Sequence, residues 1–206
     1  MEKIINLDLK AKENIIIASK EELVALELKK LAKNLLKRVK TRKNFAEKEI
    51  KLAEIRKSMV DNNYKLLENK INSREILDFS EDVIKKEREF IDYHEKIAEN
   101  QLNLAKLHKE IAELEEKLAK SKIILANSKL NVAKTRLKIG KLQQKFVNVV
   151  QKKTPEKAKI IKHLYKEEEE KLNHQLKDVI EKENQVKMLQ NDIAKITNKL
   201  SQTLTN

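Results

Sequence analysis

The sequence predicts an all-α fold: a long antiparallel coiled-coil hairpin with an Ala-striped seam, and a third long helix folded back along it. Three observations carry this reading. The 206 residues include one Gly and one Pro, too few for strand hairpins or phosphate loops, which need positive-φ positions. Charged residues make 38% of the chain and aromatics 3%, a composition of long helices rather than of a broad globular core. Twelve of the 14 alanines fall on two stripes with a strict period of seven.

The first stripe is Ala11, Ala18, Ala25, Ala32, Ala46 and Ala53, with Val39 in its gap and Val60 and Leu67 continuing it. The second is Ala98, Ala105, Ala112, Ala119, Ala126 and Ala133, continued by Gly140 and Val147. A larger apolar residue precedes nearly every stripe position. These are Ile17, Val24, Leu31, Phe45, Leu52, Met59 and Leu66 on the first, with Arg38 as the exception. On the second they run unbroken through Ile97, Leu104, Ile111, Leu118, Leu125, Val132, Ile139 and Phe146. Small residues let two backbones approach, and the larger neighbours are expected to close the seam.

Helix one is expected over 8–71. Ser19-Lys20-Glu21-Glu22 has capping-box spacing, but the stripe already runs through Ala11 and Ala18, so the start moves to Asp8. Asn72-Ser73-Arg74-Glu75 and Asp78-Phe79-Ser80 are the clustered breakers that follow. Helix two is expected over 75–153, with a break allowed near 79. Thr154-Pro155-Glu156 reads as a cap followed by Pro at the first helical position, so helix three covers 155–204. The whole of 1–206 is taken as one elongated helical domain.

In an antiparallel pair, facing residue numbers have a constant sum. Ala53 with Ala98, Ala46 with Ala105, Ala32 with Ala119 and Ala11 with Gly140 all sum to 151. This places the turn at the breaker clusters and leaves the register open by one heptad. Helix three has its own line, Ala158, Tyr165, Leu172, Val179, Val186, Ile193 and Leu200, expected to pack on Ile123, Leu130 and Leu137. The expected result is a three-helix body and a two-helix arm over about 48–103.

Catalysis finds little support. There is no Cys, no glycine-rich loop and no His-Glu-x-x-His, and no cofactor or metal site is expected. His163 with Glu167 and Glu170 with His174 are four apart, and read as ordinary solvated pairs. Charge is more informative. Residues 29–43 carry eight basic side chains and no acid, and 117–155 carry eleven and no acid, whereas 68–99 has ten acids and six bases. Lys30, Lys33, Lys37 and Lys40 form one stripe, and Lys134, Lys138, Lys141 and Lys145 another. They are the candidate polyanion face, set against the plain reading that Lys-rich faces keep helices soluble. The basic blocks have no interleaved aromatics, so sequence-specific nucleic-acid recognition is not expected. Tyr64, Phe79, Phe90 and Tyr93 cluster at the arm's tip. They are read as a plug closing the hairpin end, with a partner-docking point as the other reading.

The expected function is a non-catalytic structural or adaptor protein that self-associates, a homodimer being the first expectation, or bridges protein partners. The alternative is a peripheral membrane scaffold on an anionic surface. In architecture only, three long helices with basic faces resemble BAR modules and the hairpins of ESCRT-III and PspA-like proteins. Ile4-Ile5-Asn6-Leu7-Asp8-Leu9 with Ile15-Ile16-Ile17 is apolar enough for an anchor, but lacks the Lys/Arg face of an interfacial helix. A third reading is nonspecific nucleic-acid binding through lysine. With no signal-peptide core at Met1-Glu2-Lys3-Ile4 and no spanning segment, the chain is expected to be cytoplasmic, or membrane-peripheral under the alternative.

Overall fold

A computed structural model describes residues 2–72 and 81–205, with side chains placed over 4–72 and 81–203. These residues form three helices and no strand: α1 (Glu2–Asn72), α2 (Glu81–Gln151) and α3 (Pro155–Thr205). The fold is all-α, as its composition dictates. α1 starts ahead of the expected Asp8, because nothing between Glu2 and Asp8 breaks a helix and Asp8 pairs with Lys12 one turn on at 2.7 Å. The expected 75–80 portion of helix two, and the break near 79, lie outside the described residues.

The α2–α3 connection is a tight C-cap. Lys153 takes a left-handed conformation, φ 53°. Its N–H donates to the Val150 carbonyl, and the Thr154 N–H donates to that of Val149. This is the bond pair of a Schellman turn. Thr154 then opens α3: its carbonyl accepts the Ala158 N–H, and Pro155 fills the position where a missing N–H costs nothing.

Contacts divide the chain into two compact units: Met1–Lys37 with Glu116–Asn191, and Arg38–Glu115 with Asp192–Asn206. In the first unit Ala11, Ala18, Ala25 and Ala32 of α1, and Ala119, Ala126 and Ala133 of α2, are fully buried. Gly140 shows how close the helices come. A Cβ there would stand 2.9 Å from the Ala11 carbonyl oxygen and 2.8 Å from Cγ1 of Ile15. In the second unit the seam is Val39, Ala46, Ala53, Val60 and Leu67 against Ile91, Ala98, Ala105 and Ala112. Tyr64 and Ile71 pack on its Val60–Leu67–Ile91 cluster.

Register is marked by six cross-helix pairs, most of them at positions four before a stripe residue. In the first unit Asn14 donates to Gln143 at 3.0 Å and Arg136 to Glu21 at 3.0 Å. In the second, Arg42 donates to both carboxylate oxygens of Glu115 at 2.8 and 2.9 Å, and Glu49 meets His108 at 3.1 Å. Arg56 donates to Gln101, and Lys70 meets Glu87 at 3.5 Å. Every rung sums to 157. A slip of one heptad would set Arg42 opposite His108 in one direction and Glu49 opposite Glu115 in the other. Each exposed pair stabilises by less than about 1 kcal/mol, so the ladder selects a register more than it adds stability.

In the first unit α3 runs antiparallel to α2. Tyr165 meets Phe146 edge-on at 5.9 Å, Glu183 pairs with Lys129 at 2.7 Å, and Lys182 donates to Ser128 at 2.7 Å. Leu118, Leu125, Val132 and Ile139 of α2 are buried, as are Val179 and Val186 of α3. The α3 contacts therefore run through the line just before the Ala stripe, and not through Ile123, Leu130 and Leu137, which are half-buried. Buried Gln143 accepts from Asn14 and donates to Glu169 at 3.3 Å, joining all three helices by one side chain.

Candidate functional site

The positions just before the Ala stripe decide what the surface offers. On α1, Val24, Leu31, Phe45, Leu52, Met59 and Leu66 are 51–62% exposed. This corrects the expectation that they close the seam, Ile17 at the head of the same line being half-buried. One residue is a 100° step around a helix, so once the Ala line brings the backbones together these side chains point past the partner helix. Of their α2 counterparts in the first unit, where α3 packs, Leu118, Leu125, Val132 and Ile139 are buried and Phe146 is half-buried. In the second unit Ile97, Leu104 and Ile111 are half-buried and Phe90 is 61% exposed.

Between the two lines of the second unit lie three open clefts, one heptad apart. The first holds Phe45, Ala46, Ile111 and Ala112, with Thr197 and Leu200 of α3 at its edge. The second holds Leu52, Ala53, Leu104 and Ala105 over Glu49, Arg56, Gln101 and His108. The third holds Met59, Val60, Phe90, Ile97 and Ala98. Each has apolar walls and a floor of stripe residues and ladder rungs.

The three described tip aromatics do not form one plug. Tyr64 packs on the core cluster, while Phe90 and Tyr93 are exposed and flank His94 in edge contacts of 4.3 and 5.8 Å. Phe79 lies outside the described residues. Tyr64 donates its hydroxyl to Asp92, with Glu95 3.4 Å away, and this acceptor beside it pushes its pKa up to about 12. Burial, with Glu169 nearby, also raises that of Tyr165. The bond from Lys182, and then that with Ser128, holds the Asp178 carboxyl below the usual range.

The lysine quartets occupy matching positions, one after and two before the stripe, and all eight are exposed. Lys138 is paired with Glu168. Other members of the basic blocks are drawn into the fold: Lys129 with Glu183, Arg136 with Glu21 and Lys120 with Glu116. His163 meets Glu167 at 3.3 Å on the α3 surface, both well exposed. Among the described residues no cluster of three or more His, Asp or Glu has the spacing to hold a metal ion, and no helix is long and apolar enough to cross a membrane.

No protein-family model, curated protein or solved structure matches the chain. Sequence reasoning missed the ladder and the exposure of the α1 line. The ladder was readable in principle by pairing residues four before each stripe position across the mirror. The exposure was not, because an apolar period of seven looks the same whether or not another helix covers it.

Proposed function

We propose that this chain is a non-catalytic coiled-coil scaffold that acts by engaging further helices, in copies of itself or in other proteins. The supporting observation is the α1 line of Val24, Leu31, Phe45, Leu52, Met59 and Leu66, apolar at heptad spacing and uncovered. Singly exposed apolar residues are ordinary, but a line of them at heptad spacing, interrupted at Arg38, suits an interaction surface. Heptad spacing suits another helix rather than a small molecule. Sedimentation of the full chain across the micromolar range, with the Phe45→Glu/Met59→Glu variant beside it, tests the reading. Association of the wild type that weakens in the variant supports it. A monomer whose co-purifying proteins are the same with and without the two substitutions refutes it.

A second reading rests on the lysines. Lys30, Lys33, Lys37, Lys40, Lys134, Lys141 and Lys145 are exposed with no ion pair among the described residues. Such a face suits an anionic bilayer or a nucleic-acid backbone, at about 1 kcal/mol per Lys near a membrane surface. Changing the first four to Gln keeps the helix and should weaken binding to anionic vesicles or duplex DNA, more at low salt than at high. Wild-type protein that ignores both at low salt removes this reading.

A further inference from the structure

The first unit carries bare apolar side chains and unpaired charge at the same end. From Lys145 to Lys166, around the α2–α3 turn, there are seven lysines and one acid, Glu156. All seven lysines are exposed, and none is in an ion pair among the described residues. In the same stretch Ile160 and Leu164 are 62% and 43% exposed. At a 100° step per residue, these two share one flank of α3, with Lys159, Lys162 and Lys166 about 150° away on the other. On the lysine flank a cleft has a floor of Phe146, Val150 and Ala158 and a rim of Lys153, Lys159 and Lys162. Helix α1 comes to this end as well. Ala11 abuts Gly140, so the exposed Ile5 and Leu9 lie beside the last turns of α2. The basic face that these turns of α1 lack in sequence is brought beside them by the α2–α3 turn.

We infer that this end of the first unit docks into the interface of an anionic bilayer, with its lysines on lipid phosphates and Ile160, Leu164, Ile5 and Leu9 among the first acyl carbons. The inference rests on the lysine reading above and names both the surface and its occupant. Charge complementarity selects an anionic surface, since seven unpaired lysines stand against a single acid. A nucleic-acid backbone would reward the same lysines, but it gives exposed Ile and Leu nothing apolar to enter. Placement favours a bilayer over a protein. The apolar and basic side chains lie on opposite flanks of α3 and again on α1, so a partner lying along one flank would meet only part of the set. An interface that surrounds the end meets all of it, the long lysine stems reaching back to the headgroups. Depth agrees as well. Ile160 stands roughly 8 Å along α3 from Pro155, and interfacial helices bury their apolar side chains by about 5–10 Å.

The chain has no Trp, so a single introduced indole reports on the site. In the full chain at low salt, Ile160→Trp should shift its emission to the blue when phosphatidylcholine vesicles containing phosphatidylserine are added, and not with phosphatidylcholine alone. Leu23→Trp, exposed on α1 of the same unit and roughly 25 Å along that helix from Ile5, should not shift. Ile160→Gln with Leu164→Gln should weaken vesicle binding at least about tenfold and leave any duplex-DNA binding unchanged, because charge and helix propensity are kept. Lys153→Gln with Lys159→Gln and Lys162→Gln should also weaken vesicle binding at least about tenfold. Vesicle binding that leaves the Ile160→Trp indole in water, shifts Leu23→Trp as much, or is equal in the Ile160→Gln/Leu164→Gln variant overturns this surface and leaves the lysine stripes as the anionic-binding face. An Ile160→Trp shift that grows with protein concentration and needs no lipid also overturns it, and gives the end to a second copy. Binding to duplex DNA alone overturns the bilayer as occupant. A wild type that ignores vesicles and DNA at low salt overturns this inference and the lysine reading together.

Discussion

Replacing Gly140 by Ala separates a close-packed seam from a loose one by the sign of its effect. In a helix interior, Ala is favoured over Gly by about 1 kcal/mol, so wherever the neighbouring helix leaves room the variant melts higher. Here the new Cβ would meet the Ala11 carbonyl oxygen at 2.9 Å and Ile15 Cγ1 at 2.8 Å, with Asn14 Cβ at 3.4 Å. Ordinary carbon contacts are about 3.5–4.0 Å, so α1 must retreat by roughly half an ångström or more. Ile15 can turn away, but a backbone oxygen moves only with its helix. Overpacking of this kind costs about 1–3 kcal/mol, and after the propensity gain the expected net loss is about 1 kcal/mol. For a chain of this length that lowers the melting midpoint by about 2–4 °C. Thermal melts followed by circular dichroism read it directly. A midpoint that rises would refute the close approach of α1 and α2 at Ala11.

Three further predictions follow from single contacts. Ala119→Leu, at a fully buried stripe position, should cost about 1–3 kcal/mol in the same melts, whereas a stripe with slack would accept Leu unchanged. Lys153→Gly should raise the midpoint by about 1 kcal/mol of stability, because only Gly holds the left-handed φ of 53° without a Cβ penalty; no gain would argue against the Schellman turn. The raised Tyr64 pKa means that the folded state prefers the neutral phenol. Its contribution is complete below pH 10 and is lost as the pH climbs towards about 12. Asp92→Asn should bring the Tyr64 ultraviolet titration back towards 10, and an unmoved titration would show that the Asp92 bond is not the cause.

Much of this architecture was legible because alanine is an unambiguous marker. A small residue every seventh position over long stretches has few explanations besides two backbones in contact, and the mirror sum of 151 pairs Ala11 with Gly140, as the seam does. The ladder was harder. Asn14, Glu21, Arg42, Glu49, Arg56 and Lys70 look like any solvated helix face until each is matched with its opposite number. The third helix was assigned the wrong groove on α2 because Ile123, Leu130 and Leu137 are apolar. The unbroken run from Ile97 to Phe146 was already spoken for by the assumption that it closed the α1 seam. Once the Ala line alone closes that seam, this run is free for α3. The exposed patch on the second unit was hidden for the same reason: its residues had been assigned to the interior.

The uniformity of the stripes also shapes how the hairpin forms. Helices meeting through near-identical teeth can zip at the wrong tooth, and every misalignment by seven residues buries nearly the same apolar surface. On apolar contacts alone the landscape would be a row of equal wells, the recipe for slow, trapped folding. The rungs from Asn14–Gln143 to Lys70–Glu87 tilt that row. Each is too weak to hold the helices together, yet a slip in one direction sets Glu49 against Glu115 and Arg42 against Lys122, and a slip in the other takes Arg42 away from Glu115. A mistimed zip is then pushed apart early, before its length makes it expensive to undo. Removing these cross-helix pairs is therefore expected to show first in refolding kinetics, ahead of any change in equilibrium stability.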